Sequence, residues 1–487
     1  MMEPVRLVSS STYTKIEGSR EVQQQIRDIL KVHPEGYFFS QKYKNWLQWT
    51  RQQDAPKERQ RYFNPRDMWD GYIRFCSRGS FPTGLLSIVE DYLKQSEIPY
   101  TLVVAYKEPV PSGDPSLIGF EPRDYQKSVI QQALLLRRAV IEIPTNAGKT
   151  EVALSIVKAF NLPFIWITHL KDLFDQTQKR MVSRMGFHPG TIGCGSSVFN
   201  TEGNIVMFQA ITRDVMKKIE NFPLLVIDEM HHAQGGGSWF DLCMNLKASI
   251  RFGLSATPMK DNQLDDWKLM SLTGQVIRGI TTQEMIARGW STKPYIHILT
   301  TRLDCIEGIK YTASSGSAQA EYQEVIHQLF SSEERNRKIA DIVQTYTNQG
   351  KRVLVLGRFV SHVVKLAEMI PGSVVMHGGH PLDYRVDTKK KFIDGKILCI
   401  VSTLLGEGVD IPNIDVLVFA YPIASYRPLI QRIGRGLRTA KGKERVDIID
   451  FQDLGSKYLE SAANERIQTY TKEGFEVIYE DSLAGIV

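Results

Sequence analysis

From Ala139 to Val157 the chain passes from an unbroken apolar run to helical spacing. Ala139-Val140-Ile141-Glu142-Ile143 is rich in β-branched residues and predicts a buried strand, while Glu151-Val152-Ala153-Leu154-Ser155-Ile156-Val157 places its apolar positions as a helix does. The alternation recurs up to about residue 298, with strands expected at 164–168, 205–208, 224–227 and 250–254 and a helix from Leu170 through Arg184. A second series follows the polar stretch 311–317, expected as a loop, with strands at 352–356, 373–376, 397–401, 416–419 and 446–450. Such order predicts parallel sheets covered by helices on both faces. Ahead of Ala139, Val22–Leu30 has amphipathic helical spacing, and Gly71, Gly79, Pro82 and Gly84 mark turns between short strands such as Tyr72–Phe75. Pro109–Pro115 reads as a linker, after which Pro122 opens a helix carrying Tyr125-Gln126-Lys127 and ending near Arg137-Arg138. The expected domains are therefore 1–112, 113–300, 301–455 and a C-terminal helix with a tail at 456–487.

Composition narrows the class. The chain has 487 residues, 42% of them hydrophobic, which suits a globular protein of several domains. No apolar stretch approaches the ~18–20 residues of a membrane span, and Met1–Arg6 lacks the layout of a signal peptide. Five cysteines are scattered without a C-x-x-C pair, so zinc-ligand spacing is absent and a reduced, cytoplasmic compartment is expected. A net charge of +6 is compatible with a polyanionic partner.

The strand, loop and helix around Pro144-Thr145-Asn146-Ala147-Gly148-Lys149-Thr150 have the order of a phosphate-binding loop, although Ile143 stands where that pattern usually has its first glycine. Gly148 would let backbone N–H groups close on phosphate oxygens, the Lys149 ammonium would reach the β/γ-phosphates, and the Thr150 hydroxyl would ligate Mg²⁺; a surface turn is the alternative. Asp228-Glu229, at the exit of an apolar strand, suits the other side of a Mg²⁺–nucleotide site. There Asp228 would hold the metal and Glu229 would deprotonate the attacking water. His231-His232 could ligate a metal or link motifs by hydrogen bonds; with no further ligand at suitable spacing the second reading is preferred. Arg435 and Arg438, three apart, share a helical face and could stabilise a transferring phosphoryl group, or lie on a solvated face. Between Lys42 and Arg78, lysines and arginines interleave with aromatics. That mix fits phosphate contact with base stacking, and equally an aromatic core with snorkelling arginine stems.

Taken in order, Tyr125-Gln126, Gly148-Lys149-Thr150, Asp228-Glu229-Met230-His231, Ser255-Ala256-Thr257, Ser402-Thr403 with Gly406–Pro412, and Gln431–Arg438 resemble the motifs of superfamily 2 helicases. The resemblance implies two tandem RecA-like parallel-sheet domains preceded by a small N-terminal α/β DNA-binding domain, with ATP and Mg²⁺ between the RecA-like domains and nucleic acid across both. It further implies that Gln126 and Arg123 read adenine and that Thr145, Asn146, Ala147, Gly148, Lys149 and Thr150 surround the phosphates. Ser255, Ala256 and Thr257 would couple hydrolysis to domain movement. Gly408 would lie near phosphate and Asp410 near ribose, while Gln431, Arg435 and Arg438 complete the site. Thr168, His169, Gln209, Arg358, Ser402 and Thr403 fall where the family touches the nucleic-acid backbone. Asn64–Arg74, Phe81–Leu85 and Glu334–Arg337 resemble the phage UvsW-type helicases, which remodel forks and migrate Holliday junctions; Arg66, Trp69 and Arg74 are then candidate DNA contacts. That type implies forked or four-way-junction DNA, a monomer working with single-strand-binding or replication and recombination proteins, and the host cytoplasm. An RNA helicase, a duplex translocase that does not unwind, and an ATP-switched binding module are the alternatives.

Overall fold

The computed structural model describes residues 4–52, 62, 64–235, 238–256, 262–302, 318–404, 414–423, 429, 430, 432–434, 437 and 443–480. The polar stretch 311–317 lies outside them. Contacts divide the chain into two units, Met1–Ile143 with Gly148–Gly279, and Pro144–Ala147 with Ile280–Val487.

Two layers of the first unit follow from two apolar patterns. At its N-terminus a four-stranded sheet runs in the order Ser80–Pro82, Tyr13–Glu17, Val5–Ser9, Tyr100–Val104. Strand Val5–Ser9 buries alternate side chains, Val5 and Leu7, against Val22, Ile26 and Leu30 of the helix Arg20–Ile29 and its cap, which Ser19 starts by accepting the Val22 N–H. That core continues into the rest of the first unit: Leu264 and Trp267 of the helix Gln263–Leu272 belong to it, and Phe75 meets the Trp267 ring edge-on. Only glycine fits at 84, where a Cβ would stand 1.8 Å from the Met270 carbonyl oxygen. The buried Arg138 guanidinium completes the seam, donating to the Ser11 and Thr273 carbonyls at 2.6 and 2.8 Å.

Beneath it lies an eight-stranded sheet in the order Ser196–Val198, Gly190–Gly193, Gly203–Met207, Phe164–Thr168, Leu224–Asp228, Ile250–Ser255, Arg138–Glu142, Val276–Arg278. Its central strands are buried at every position, which is why they read as continuous apolar runs. Arg251 breaks that run and is fully buried, with no carboxylate partner among the described residues. Its guanidinium donates to the carbonyls of Cys243, Leu246, Ala248 and Leu272, at or just beyond the ends of the helices Ser238–Asn245 and Gln263–Leu272.

The second unit is a seven-stranded parallel sheet, ordered Ser373–Met376, Cys399–Ser402, Val353–Leu356, Val416–Phe419, Arg445–Leu454, Lys293–Arg302, Glu476–Glu480. Here the structure departs from two expectations. Lys293–Arg302 pairs along its whole length with Arg445–Leu454, so the first series of strands ends at Arg278 rather than near residue 298. The C-terminal helix is present at Lys457–Lys472, but the edge strand Glu476–Glu480 follows it where a tail was expected. Arg335 is 2% exposed and pairs bidentately with Asp453 at 2.7 and 3.1 Å, while Arg466 and Tyr470 both bond Asp450. Arg251→Met should leave several buried carbonyls without a donor and lower unfolding stability by ~3 kcal/mol or more, measured from urea denaturation.

Candidate nucleotide site and nucleic-acid contacts

Parallel register brings the candidate residues together. Ser255 lies opposite Glu142, the last residue of the strand that leads into the phosphate-type loop, and Asp228 opposite Leu254, so three strands end at nearly one level. Gly148, at φ +79°, caps the helix Lys149–Phe160, and a Cβ there would lie 2.5 Å from Gln126 Nε2. Gln126, expected to read a base, is 3% exposed; its Oε1 accepts the Arg123 N–H at 2.8 Å and so closes the start of the helix Asp124–Leu136. Thr145 and Asn146 are half-buried and Ala147 is buried, with Asn146 in the left-handed region at φ +68°.

Lys149 Nζ stands 3.5 Å from Glu229 Oε1, and His231 Nδ1 stands 3.3 Å from Glu229 Oε2. The same His231 nitrogen is 3.1 Å from Ser255 Oγ, so His231 links the acidic pair to the Ser255-Ala256 strand end. Glu229 sits at φ +47°, a left-handed conformation unusual for a glutamate and of the kind that gathers at functional sites. Its N–H donates to Asp228 Oδ1 at 3.0 Å. Asp228 is buried, and burial, then the neighbouring Glu229 charge, pushes its carboxyl up to about 6. A buried carboxylate that resists ionising, with Thr150 on the first turn of the facing helix, suits a hard cation that brings phosphate oxygens with it. Among the described residues no three His, Cys, Asp or Glu side chains form a metal cluster of their own.

The expected nucleic-acid contacts divide into open and committed groups. His169 is half-buried, Gln209 is exposed, and the Gln209 amide donates to the His169 carbonyl at 3.1 Å. Thr168 is fully buried. Arg358 is exposed with its guanidinium over Phe359, and Thr403 is half-buried. Ser402, by contrast, is fully buried, donating to the Met376 carbonyl at 2.6 Å and accepting the Leu404 N–H, which turns its hydroxyl inward. In the N-terminal domain Arg66 and Arg74 are exposed and Trp69 is half-buried; Trp69 donates to the Tyr72 carbonyl and Arg74 pairs with Asp70. Thr257, Gly408, Asp410, Gln431, Arg435 and Arg438 lie outside the described residues. Sequence reasoning missed a ring cluster: His232 lies 3.8 Å from His169 and 4.3 Å from His231, and Trp239 stacks on Phe208 at 3.9 Å. Its members come from three separate segments, and no spacing announces them.

The family model described as the Type III restriction enzyme res subunit matches residues 119–260, and the Helicase conserved C-terminal domain matches residues 334–440. The chain is an ATP-dependent helicase of superfamily 2. It has two RecA-like domains. This helicase is 28% identical to the DNA 3'-5' translocase XPB2 of Sulfurisphaera tokodaii over 67% of its own length and 80% of that protein's. It is 21% identical to the ATP-dependent DNA helicase uvsW of phage T4 over 96% of its length and 97% of the relative's. In fold it is similar to a fragment of a type I restriction enzyme HsdR subunit from Vibrio vulnificus, at a TM-score of 0.56 and 17% identity, over 74% of this chain and 69% of that one. Among the described residues no helix is long and apolar enough to cross a membrane.

The state of Asp228 is testable without nucleotide. Its folded value of about 6 exceeds the ordinary 3.8, so between the two the unfolded chain releases a proton that the folded helicase keeps. Stability must therefore fall as pH rises through that window. Urea midpoints of the ligand-free protein should drop from about pH 4 to about pH 7, and less so in Asp228→Asn.

Proposed function

We propose that this helicase is a DNA motor that remodels branched DNA, regressing forks and migrating four-way junctions. The observation that carries the reading is that similarity to the phage T4 DNA helicase runs the length of both chains, N-terminal domain included. In this reading Lys149 binds the β/γ-phosphates, while Thr150 and Asp228 hold Mg²⁺, which supplies charge neutralisation on the phosphates. Glu229 takes the proton of the attacking water. Lys149 and His231 stand at its two carboxylate oxygens and keep it oriented. Arg123 and Gln126 border the base; Gly408, Asp410, Gln431, Arg435 and Arg438 complete the site. Hydrolysis reaches the nucleic acid through His231, which touches Ser255, and through the His232–His169 ring contact beside Gln209. The helicase acts as a monomer alongside single-strand-binding or replication and recombination proteins.

A second reading, a translocase that tracks duplex without separating strands, is favoured by the similarity to XPB2, itself named a DNA translocase. ATP hydrolysis measured with single-stranded, duplex, forked and four-way DNA, using Lys149→Ala as the blank, separates the two. Strong preference for forks and junctions is the expected result; equal stimulation by plain duplex, with no strand displaced, supports the translocase. Glu229→Gln should lower the stimulated rate by ~10²–10⁴-fold, and a variant that keeps its rate removes Glu229 from the role of base.

A further inference from the structure

Residues 36–51 form a surface that the motor chemistry leaves unused. Its foundation is a stack of rings. His33 is sandwiched between Tyr37, 3.9 Å away at 17°, and Tyr72, 3.7 Å away at 29°. Tyr37 meets Tyr43 edge-on, and Tyr43 lies beside Trp46. His33 Nδ1 is 2.8 Å from the Gly71 carbonyl oxygen. Gly71 is itself obligatory, because at φ +86° a Cβ would stand 2.7 Å from the Tyr37 ring and 3.0 Å from His33.

On this base the turn Tyr37–Phe39 lifts two adjacent rings into solvent. Phe38 is 52% exposed and Phe39 is 73% exposed, with ring centroids 4.3 Å apart. Exposing two neighbouring phenylalanines on a rigid mount sacrifices burial free energy, as interaction sites do. The helix Gln41–Arg51 follows directly, buries no residue, and presents Lys42, Lys44 and Arg51 to solvent. No aspartate or glutamate occurs from Gly36 to Arg51, so the charges that this segment itself presents are all positive, with exposed Glu35 and Asp67 at its margins.

We propose that Phe38 and Phe39 are an apolar wedge for DNA bases at a branch point. The two rings lie against or between base pairs where duplex gives way to single strand, and Lys42, Lys44 and Arg51 hold the adjoining phosphates. Rings of this kind unstack base steps without reading sequence, and cations beside them secure the backbone. The proposal rests on the reading of the helicase as a branched-DNA motor, and it adds residues 38–51 to the expected contacts of the N-terminal domain.

The test uses the full chain with both phenylalanines changed to alanine, and a second variant with both changed to tryptophan. A fork carrying 2-aminopurine at the branch base pair reports unstacking by fluorescence, beside fork affinity, strand displacement and ATP hydrolysis on single-stranded DNA. In the wild type, binding should raise the fluorescence. In Phe38→Ala/Phe39→Ala the rise should vanish and fork affinity should fall by about fivefold or more, the loss of one stacked base at the least. Its thermal midpoint should match that of wild type, and its hydrolysis on single strands should stay within about twofold, since both rings are exposed. The tryptophan variant should restore the signal. A wild type that leaves the branch base stacked, or an alanine variant that handles forks as wild type does, overturns the wedge and assigns the patch to a protein partner. If the fluorescence behaves as expected but no DNA stimulates hydrolysis, the wedge stands and the motor reading falls.

Discussion

Because the strands Arg138–Glu142, Ile250–Ser255 and Leu224–Asp228 run parallel and in register, three segments far apart in sequence finish side by side. Everything at the candidate nucleotide site depends on that pairing. It sets Lys149 opposite Glu229 and gives His231 a partner in Ser255. It also buries the Asp228 carboxylate at the mouth of the sheet, where ionisation is costly until positive charge arrives. The strained backbone of Glu229 belongs to the same geometry: the chain turns sharply as it leaves the sheet, and the carboxylate swings between a lysine and a histidine.

The N-terminal domain is part of the first motor unit rather than a bead on a tether. Leu264 and Trp267 lie in its core, Gly84 lets the two backbones touch, and Arg138 ties Ser11 to Thr273 just before the strand that leads into the phosphate-type loop. A surface on this domain therefore moves with the sheet that carries Lys149 and Asp228. Trimming the domain away would uncover the tryptophan and leucine of the motor helix, so single surface side chains are the cleaner probes.

Much of this was legible in the sequence, for a physical reason in each case. Central strands of a parallel sheet are buried on both faces, so 164–168, 224–228 and 250–255 stand out as apolar runs, and the motifs at their exits follow. The segment Lys293–Arg302 falls within the span expected for the first series because its true partner lies some 150 residues onward, and pairing at that range leaves no local mark. Glu476–Glu480 escaped notice as a half-exposed edge strand with acidic residues at both ends. Side-chain partners were not legible: Trp69, Arg74 and Ser402 have the right chemistry for nucleic acid, and each also bonds a group inside its own domain that no local spacing marks. Of the aromatic-rich stretch Lys42–Arg78, Tyr72 packs on His33 from outside it, and the exposed pair Phe38 and Phe39 lies just ahead of it, where no interleaved charge marks it out.

Arg251 shows how a charge can be kept inside a motor with no counter-ion beside it among the described residues. Burial draws its value down to about 9, still leaving it protonated near neutral pH, and its charge is met by carbonyl dipoles at two helix ends. Dipoles held inside a protein are not exchanged for dissolved ions. Salt that strips phosphates from surface lysines will leave this clamp untouched, so the helicase can be washed free of nucleic acid at high ionic strength while helices and sheet keep their attachment.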